Sequence, residues 1–141
     1  MKRLFTVPGY STYSDVSLLL IRIVAGLAMA MHGWGKIQNP FHWMGPEGFA
    51  PGIFQALAAV SEFGGGIAWI LGFLTPLASL GITCTMAVAF WFHAIMRGDP
   101  FVAMKGGPSF ELAALYFAIA LLLMATGPGR LSLDRKFFGP R

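Results

Sequence analysis

The chain has 141 residues, enough for one domain. Hydrophobic residues make up 56% of it and charged residues 11%, with a mean hydropathy of +0.67, so it lacks the charge to cover a water-facing surface and reads as an integral membrane protein. The net charge of +4 lies near the ends and in short loops, where it suits anionic lipid headgroups, and no basic face with interleaved aromatics exists for nucleic acid.

The opening MKRLFTVPGY has the charge of a signal-peptide start, but the apolar run begins only near Val16 and carries Arg22. It reads as a retained first membrane helix, with residues 1–15 as an N-terminal cytoplasmic segment. Four runs have the length and apolarity of spans: Ser17–Ile37, Phe54–Leu74, Leu77–Met96 and Phe110–Thr126. The first carries Arg22, Gly26, Met29, Gly33 and Lys36 on one helical face. Between spans one and two, QNPFHWMGPEGFAPG offers Phe41, Trp43 and Phe49 to the headgroup region. Two readings of it stand: a cap folded over the mouth of the bundle, or an ordinary interfacial loop.

The second span places Glu62 just before Gly64, Gly65 and Gly66. Small residues let helices approach closely in lipid, so Gly65 and Gly66 are expected at a helix contact that presses the Glu62 face into the bundle. Thr75-Pro76 is expected to form the tight connection to span three, because proline disfavours a helical residue before it. Span three ends in FWFHA, with His93. Cys84 is the single cysteine, without a Cys-x-x-Cys, and reads as a small packing residue; redox chemistry would need a bound cofactor or a partner. Glu111 opens span four and TGPGR stops it, which leaves residues 16–134 as the membrane domain and 135–141 as a cytoplasmic tail. Four spans bring both termini to one side. That side has Lys2, Arg3, Arg130, Arg135, Lys136 and Arg141 against Lys36, Arg97 and Lys105 opposite, so both termini are expected in the cytoplasm.

The polar residues in the spans are the candidate site, since charge in hydrocarbon is costly and marks a pairing or a function. At 1.5 Å per residue, Glu62, His32 and His93 fall about 12, 8 and 5 Å below the outer face, and their side chains lean toward one layer. A cofactor-binding group of His32, Glu62 and His93 is therefore expected, with at least one histidine nitrogen in hydrogen-bond reach of Glu62, directly or through a water. Lys36 and Glu111 are expected at its entrance, and Arg22, leaning the other way, in a structural pairing or snorkelling to the headgroups. Glu62 itself keeps two readings, a structural pair or a ligand and proton role. No metal site is expected, because these residues come singly from different helices without His-x-x-x-His or Glu-x-x-His spacing. Phe90, Trp91 and Phe92 beside His93 suit either the flank of a flat ring such as a quinone or an interfacial aromatic belt.

Taken together, LLLIRIVAGLAMAMHGWGKI, SEFGGGIAWILGFLTPLAS, FWFHA and FELAALYFAIALLLMATGPGRLSLD resemble the DoxX family of small bacterial membrane proteins, over roughly Leu18 to Asp134. The resemblance implies an all-α, integral membrane four-helix bundle in the inner membrane. Arg22, His32, Lys36, Glu62, His93 and Glu111 match the family's polar pattern. The related DoxD branch supplies the membrane subunit of a thiosulfate:quinone oxidoreductase, and other members are linked to oxidative-stress systems. The function implied is a small membrane subunit supporting quinone-linked or other redox electron transfer beside further membrane or redox subunits. The alternatives are a structural or assembly subunit of a larger complex, or a small-solute or proton transporter. The last lacks the repeated broken-helix pair such folds use.

Overall fold

The computed structural model describes residues 5–140. Lys2, Arg3 and Arg141, used in the charge count, lie outside them. The described chain is helical, with no strand and one isolated bridge between Val7 and Pro140. Helix α1 spans Thr12–Ile37, α2 Gly52–Leu71 and α3 Thr75–Trp91, which continues as a π-helical turn over Phe92–Met96. Helix α4 spans Glu111–Thr126 and a short α5 spans Leu133–Phe138. By length and composition α1, α2 and α3 with its π turn are each able to cross a membrane. Helix α4 is equally apolar but has 16 residues. That is about 24 Å, short of a hydrocarbon layer of ~30 Å.

Three boundaries differ from the sequence expectation. Helix α1 starts before Ser17, inside the expected N-terminal segment, because Ser11 caps it: its Oγ accepts from the Ser14 amide at 3.2 Å. Helix α2 stops at Leu71, where Gly72 takes φ +62 and closes the end with a left-handed cap. Thr75-Pro76 is consequently not the connection but the first turn of α3, a position where proline loses nothing. The turn is Gly72–Leu74, and Leu74 is held at φ 47, a left-handed conformation costly for a leucine.

The helices pack in sequence order, α1 on α2, α2 on α3 and α3 on α4. The glycine triplet serves two neighbours. A Cβ on Gly66 would sit 2.5 Å from the Ala30 nitrogen and 2.6 Å from the Gly26 oxygen, so α1 and α2 touch backbone to backbone. A Cβ on Gly33 would run into the Phe63 backbone in the same seam. Gly65 faces the other way, toward the Ile82 side chain of α3 at 3.0 Å, while Gly64 meets nothing closer than 3.9 Å. Met29, Trp69, Ile82, Tyr116, Ala120 and Leu123 form the core between all four helices. Trp69 Nε1 satisfies itself by donating to Ser79 Oγ at 3.0 Å.

At one end of the bundle lies a network of buried charges. Arg22 is 1% exposed and spends its donors on carbonyl oxygens: Nε to Trp69 (2.8 Å), Nη1 to Pro128 (2.7 Å) and Leu131 (2.9 Å), and Nη2 to Ile70 (3.0 Å). Both the Trp69 and Ile70 carbonyls lie in the last turn of α2, where the helix dipole favours a cation; the Trp69 oxygen also accepts from the Gly72 amide at 3.1 Å. Asp134 does the converse at the start of α3, accepting from the amides of Leu74 (2.6 Å) and Thr75 (2.9 Å). It thereby holds the strained Leu74 in place. Asp15 accepts from Arg130, backbone and side chain, and Tyr10 donates its hydroxyl to the Thr126 carbonyl at 2.8 Å. The segments before α1 and after α4 meet here, with Val7 N donating to Gly139 O at 3.2 Å.

Candidate functional site

At the other end, the loop between α1 and α2 folds back over the helices. Gln55, buried on α2, pins it twice: its Nε2 donates to Ala50 O (2.8 Å) and its Oε1 accepts from Met44 N (3.0 Å). Trp43 Nε1 donates to Gln55 O at 2.9 Å. Phe49 stacks on Phe92 of the π turn with centroids 4.9 Å apart and rings 13° from parallel. The loop therefore forms a roof, and beneath it a cavity of about 700 Å³ is lined by residues of α2 and α3. A cavity of that size suits a drug-sized organic ligand.

The walls are apolar, with Phe54, Leu57, Val88 and Phe92 among them, and Phe54, Leu57 and Val88 are exposed at the edge. Cys84 also lines the cavity and is exposed, so it is a cavity thiol and not the packing residue expected of it. Polar chemistry comes from Lys36, Glu62 and His93. Lys36 Nζ donates to Glu62 Oε1 at 2.6 Å and lies 4.5 Å from the centre of the Trp43 ring. Glu62 is 2% exposed, and its Oε2 has no hydrogen-bond partner among the described residues. A buried, half-satisfied carboxylate is costly in a low-dielectric setting, so its conjunction with a cavity is a functional pointer. His93 Nδ1 donates to Asp99 Oδ2 at 2.6 Å, and Asp99 also accepts from Arg97 Nε at 3.3 Å.

The structure brings together Glu62, Lys36 and His93 around one cavity, with Lys36 as the direct partner of Glu62. No direct histidine–Glu62 hydrogen bond is made: Lys36 occupies Oε1 and Asp99 occupies His93 Nδ1. His32 is exposed and does not line the cavity; it meets the edge of Tyr116 on α4, centroids 6.2 Å apart. Glu111 is exposed in the first turn of α4 and pairs with none of the described cations. Arg22 lies at the far end, in the network above. Gln55 and Asp99 were not foreseen, and Trp43 was foreseen only as an aromatic of a loop that either caps the bundle mouth or lies at the interface. Gln55 and Trp43 anchor the roof, and Asp99 reaches His93 because Gly98, at φ +65, turns the chain back after the π segment. The run RGDP carried that signal, a glycine-aspartate turn directly after the histidine helix.

The DoxX family model matches residues 17–94. An uncharacterized protein of Haemophilus influenzae is 33% identical over 128 residues, covering 89% of this chain and 94% of its own. The inner membrane protein YqjF of Escherichia coli is 34% identical over 128 residues, covering 86% of this chain and 92% of its own. No solved structure matches. With three helices able to span a bilayer and a relative named for the inner membrane, the chain is a bacterial inner-membrane protein and belongs to the DoxX family.

Proposed function

We propose that the chain is a four-span membrane subunit that holds a quinone-type head group and supports electron transfer with a partner redox protein. The observation that carries this reading is the cavity: about 700 Å³ lined mainly by apolar side chains, with a buried carboxylate paired to a partly exposed ammonium and one carboxylate oxygen to spare. A quinone has the same division, a flat apolar ring and tail with a few polar oxygens. The exposed edge between Phe54, Leu57 and Val88 gives a lipid-dissolved ligand a lateral way in. Phe92, already stacked on Phe49, provides a ring face at the wall. No described residue is a redox centre by itself, and Cys84 is alone, so electrons must pass to a further membrane or redox subunit.

The same reading places both termini in the cytoplasm, with residues 1–15 and 135–141 flanking a membrane domain of 16–134. It is supported by the meeting of the two terminal segments at one end, through Val7 with Gly139 and Tyr10 with Thr126. An even number of crossings follows if that end is on one side of the bilayer. The 16-residue α4 then crosses by local thinning, at a modest cost per ångström of mismatch. Solvent extraction of the protein purified in mild detergent tests the ligand: quinone enriched over the co-purifying phospholipid is expected, and quinone at the lipid background ratio contradicts it.

A further inference from the structure

We infer that the cavity prefers its ligand in the reduced form, with a hydroquinone hydroxyl and not a quinone carbonyl completing the Lys36–Glu62 pair. This rests on the quinone-site reading above and adds the oxidation state. The donors around the cavity are mostly spent on the protein itself. Trp43 Nε1 donates to Gln55 O, Gln55 Nε2 to Ala50 O, and Thr85 Oγ1 to Gly81 O at 3.0 Å. Among what remains is one acceptor that no described donor reaches. Glu62 Oε2 is buried without a donor. His93 Nδ1 is taken up by Asp99, which also accepts from Arg97, so it offers a ligand no donor there.

Ser61 also brings a hydroxyl to the cavity wall, and Lys36 is the charged exception. It has three N–H donors, gives one to Glu62, and keeps its side chain 26% exposed beside the cavity. A quinone carbonyl bears lone pairs and no hydrogen. It can answer Lys36, but set against Glu62 Oε2 it leaves the carboxylate oxygen bare and adds repulsion. A hydroxyl is both donor and acceptor. It accepts from Lys36 and donates to Oε2, so one group satisfies both halves of the pair, and the bond to the carboxylate is charge-assisted.

Cys84 gives a reporter, being the single cysteine and lying on the cavity. The rate of its alkylation by N-ethylmaleimide is measured anaerobically on the purified full chain. The competitors are durohydroquinone, duroquinone and the dimethyl ether of durohydroquinone. The fully methylated rings leave no position for thiol addition, and the ether keeps the shape without the donors. Half-protection by durohydroquinone is expected at roughly tenfold lower concentration than by either other compound, the margin of one charge-assisted hydrogen bond. Glu62→Gln should erase that margin. If all three protect equally in the unmodified protein, the oxidation-state inference is overturned while the quinone site stands, a water then filling the role of the hydroxyl. If none protects at saturation, the quinone-site reading and the inference fall together.

Discussion

Lys36 Nζ on α1 lies 2.6 Å from Glu62 Oε1 on α2, and the two helices that carry them touch backbone to backbone at Gly33 and Gly66. The contact explains why a carboxylate is followed by glycines. Only a seam without side chains lets the lysine of one helix reach a carboxylate one turn away from the crossing on the other. The pair is the polar element and the glycines set its geometry.

Removing one partner should cost more than removing both. Lys36→Met leaves Glu62 buried and uncompensated, a loss of about 3 kcal/mol for a pair of this burial. The double variant Lys36→Met with Glu62→Met removes the charge that needs compensation and should recover most of that loss. Thermal unfolding in detergent reads both. Equal destabilisation in the single and double variants would mean that the ion pair is not what Glu62 depends on.

The three glycines should respond differently to an added side chain. Gly66→Ala places a methyl against the Ala30 nitrogen and Gly26 oxygen, so α1 and α2 must separate and stability should fall sharply. Gly64→Ala meets open space and should be neutral or stabilising by up to about 1 kcal/mol, from helix propensity alone. Gly65→Leu, pressed on Ile82, should loosen α2 from α3. Melting temperatures of the three variants decide it, and a Gly66→Ala protein as stable as Gly64→Ala would place the seam elsewhere.

Arg22 is held by geometry and not by charge alone. Arg22→Lys keeps the charge but cannot reach carbonyls of Trp69, Ile70, Pro128 and Leu131 together. Losing two such bonds should cost about 3 kcal/mol or more, since each hydrogen bond to a charged group contributes roughly 1.5–3 kcal/mol. Asp134→Asn, which keeps one acceptor for Leu74 or Thr75, should be milder. Chemical or thermal unfolding ranks the two; a lysine variant with unchanged stability would show that Arg22 only reaches for headgroups.

Much of α1 was legible in the sequence because a helical period is a direct statement about faces. Arg22, Gly26, Gly33 and Lys36 share the side that meets α2. The same period argued against His32, which precedes Gly33 and so lies about 100° round the helix, on the side of Tyr116. Depth alone had grouped it with Glu62. Partners delivered by loops were not legible: Asp99 reaches His93 and Asp134 reaches Leu74 through turns whose path no period encodes. The cavity was hidden for a related reason, since its lining combines α2 and α3 with the Gln55-pinned loop, whose path no period encodes.

The crossing number is accessible to single cysteines at Gly9, Glu47 and Lys136 in a Cys84→Ser background, all exposed positions outside the long helices. An impermeant maleimide applied to spheroplasts should label Glu47→Cys, and should label Gly9→Cys and Lys136→Cys only after permeabilisation. Labelling of Gly9→Cys and Lys136→Cys from opposite faces would show that α4 does not cross.

The cavity assignment is tested most directly by filling the cavity without touching its polar groups. Ala58 lines the wall, and Ala58→Phe places a ring in the space while leaving Lys36, Glu62 and His93 intact. Quinone per mole of protein is measured by solvent extraction of the unmodified and Ala58→Phe chains, purified identically and matched for melting temperature. The expected result is quinone above the lipid background in the unmodified protein and a fall to that background in Ala58→Phe. Equal quinone in the two proteins would contradict the assignment of the ligand to this cavity.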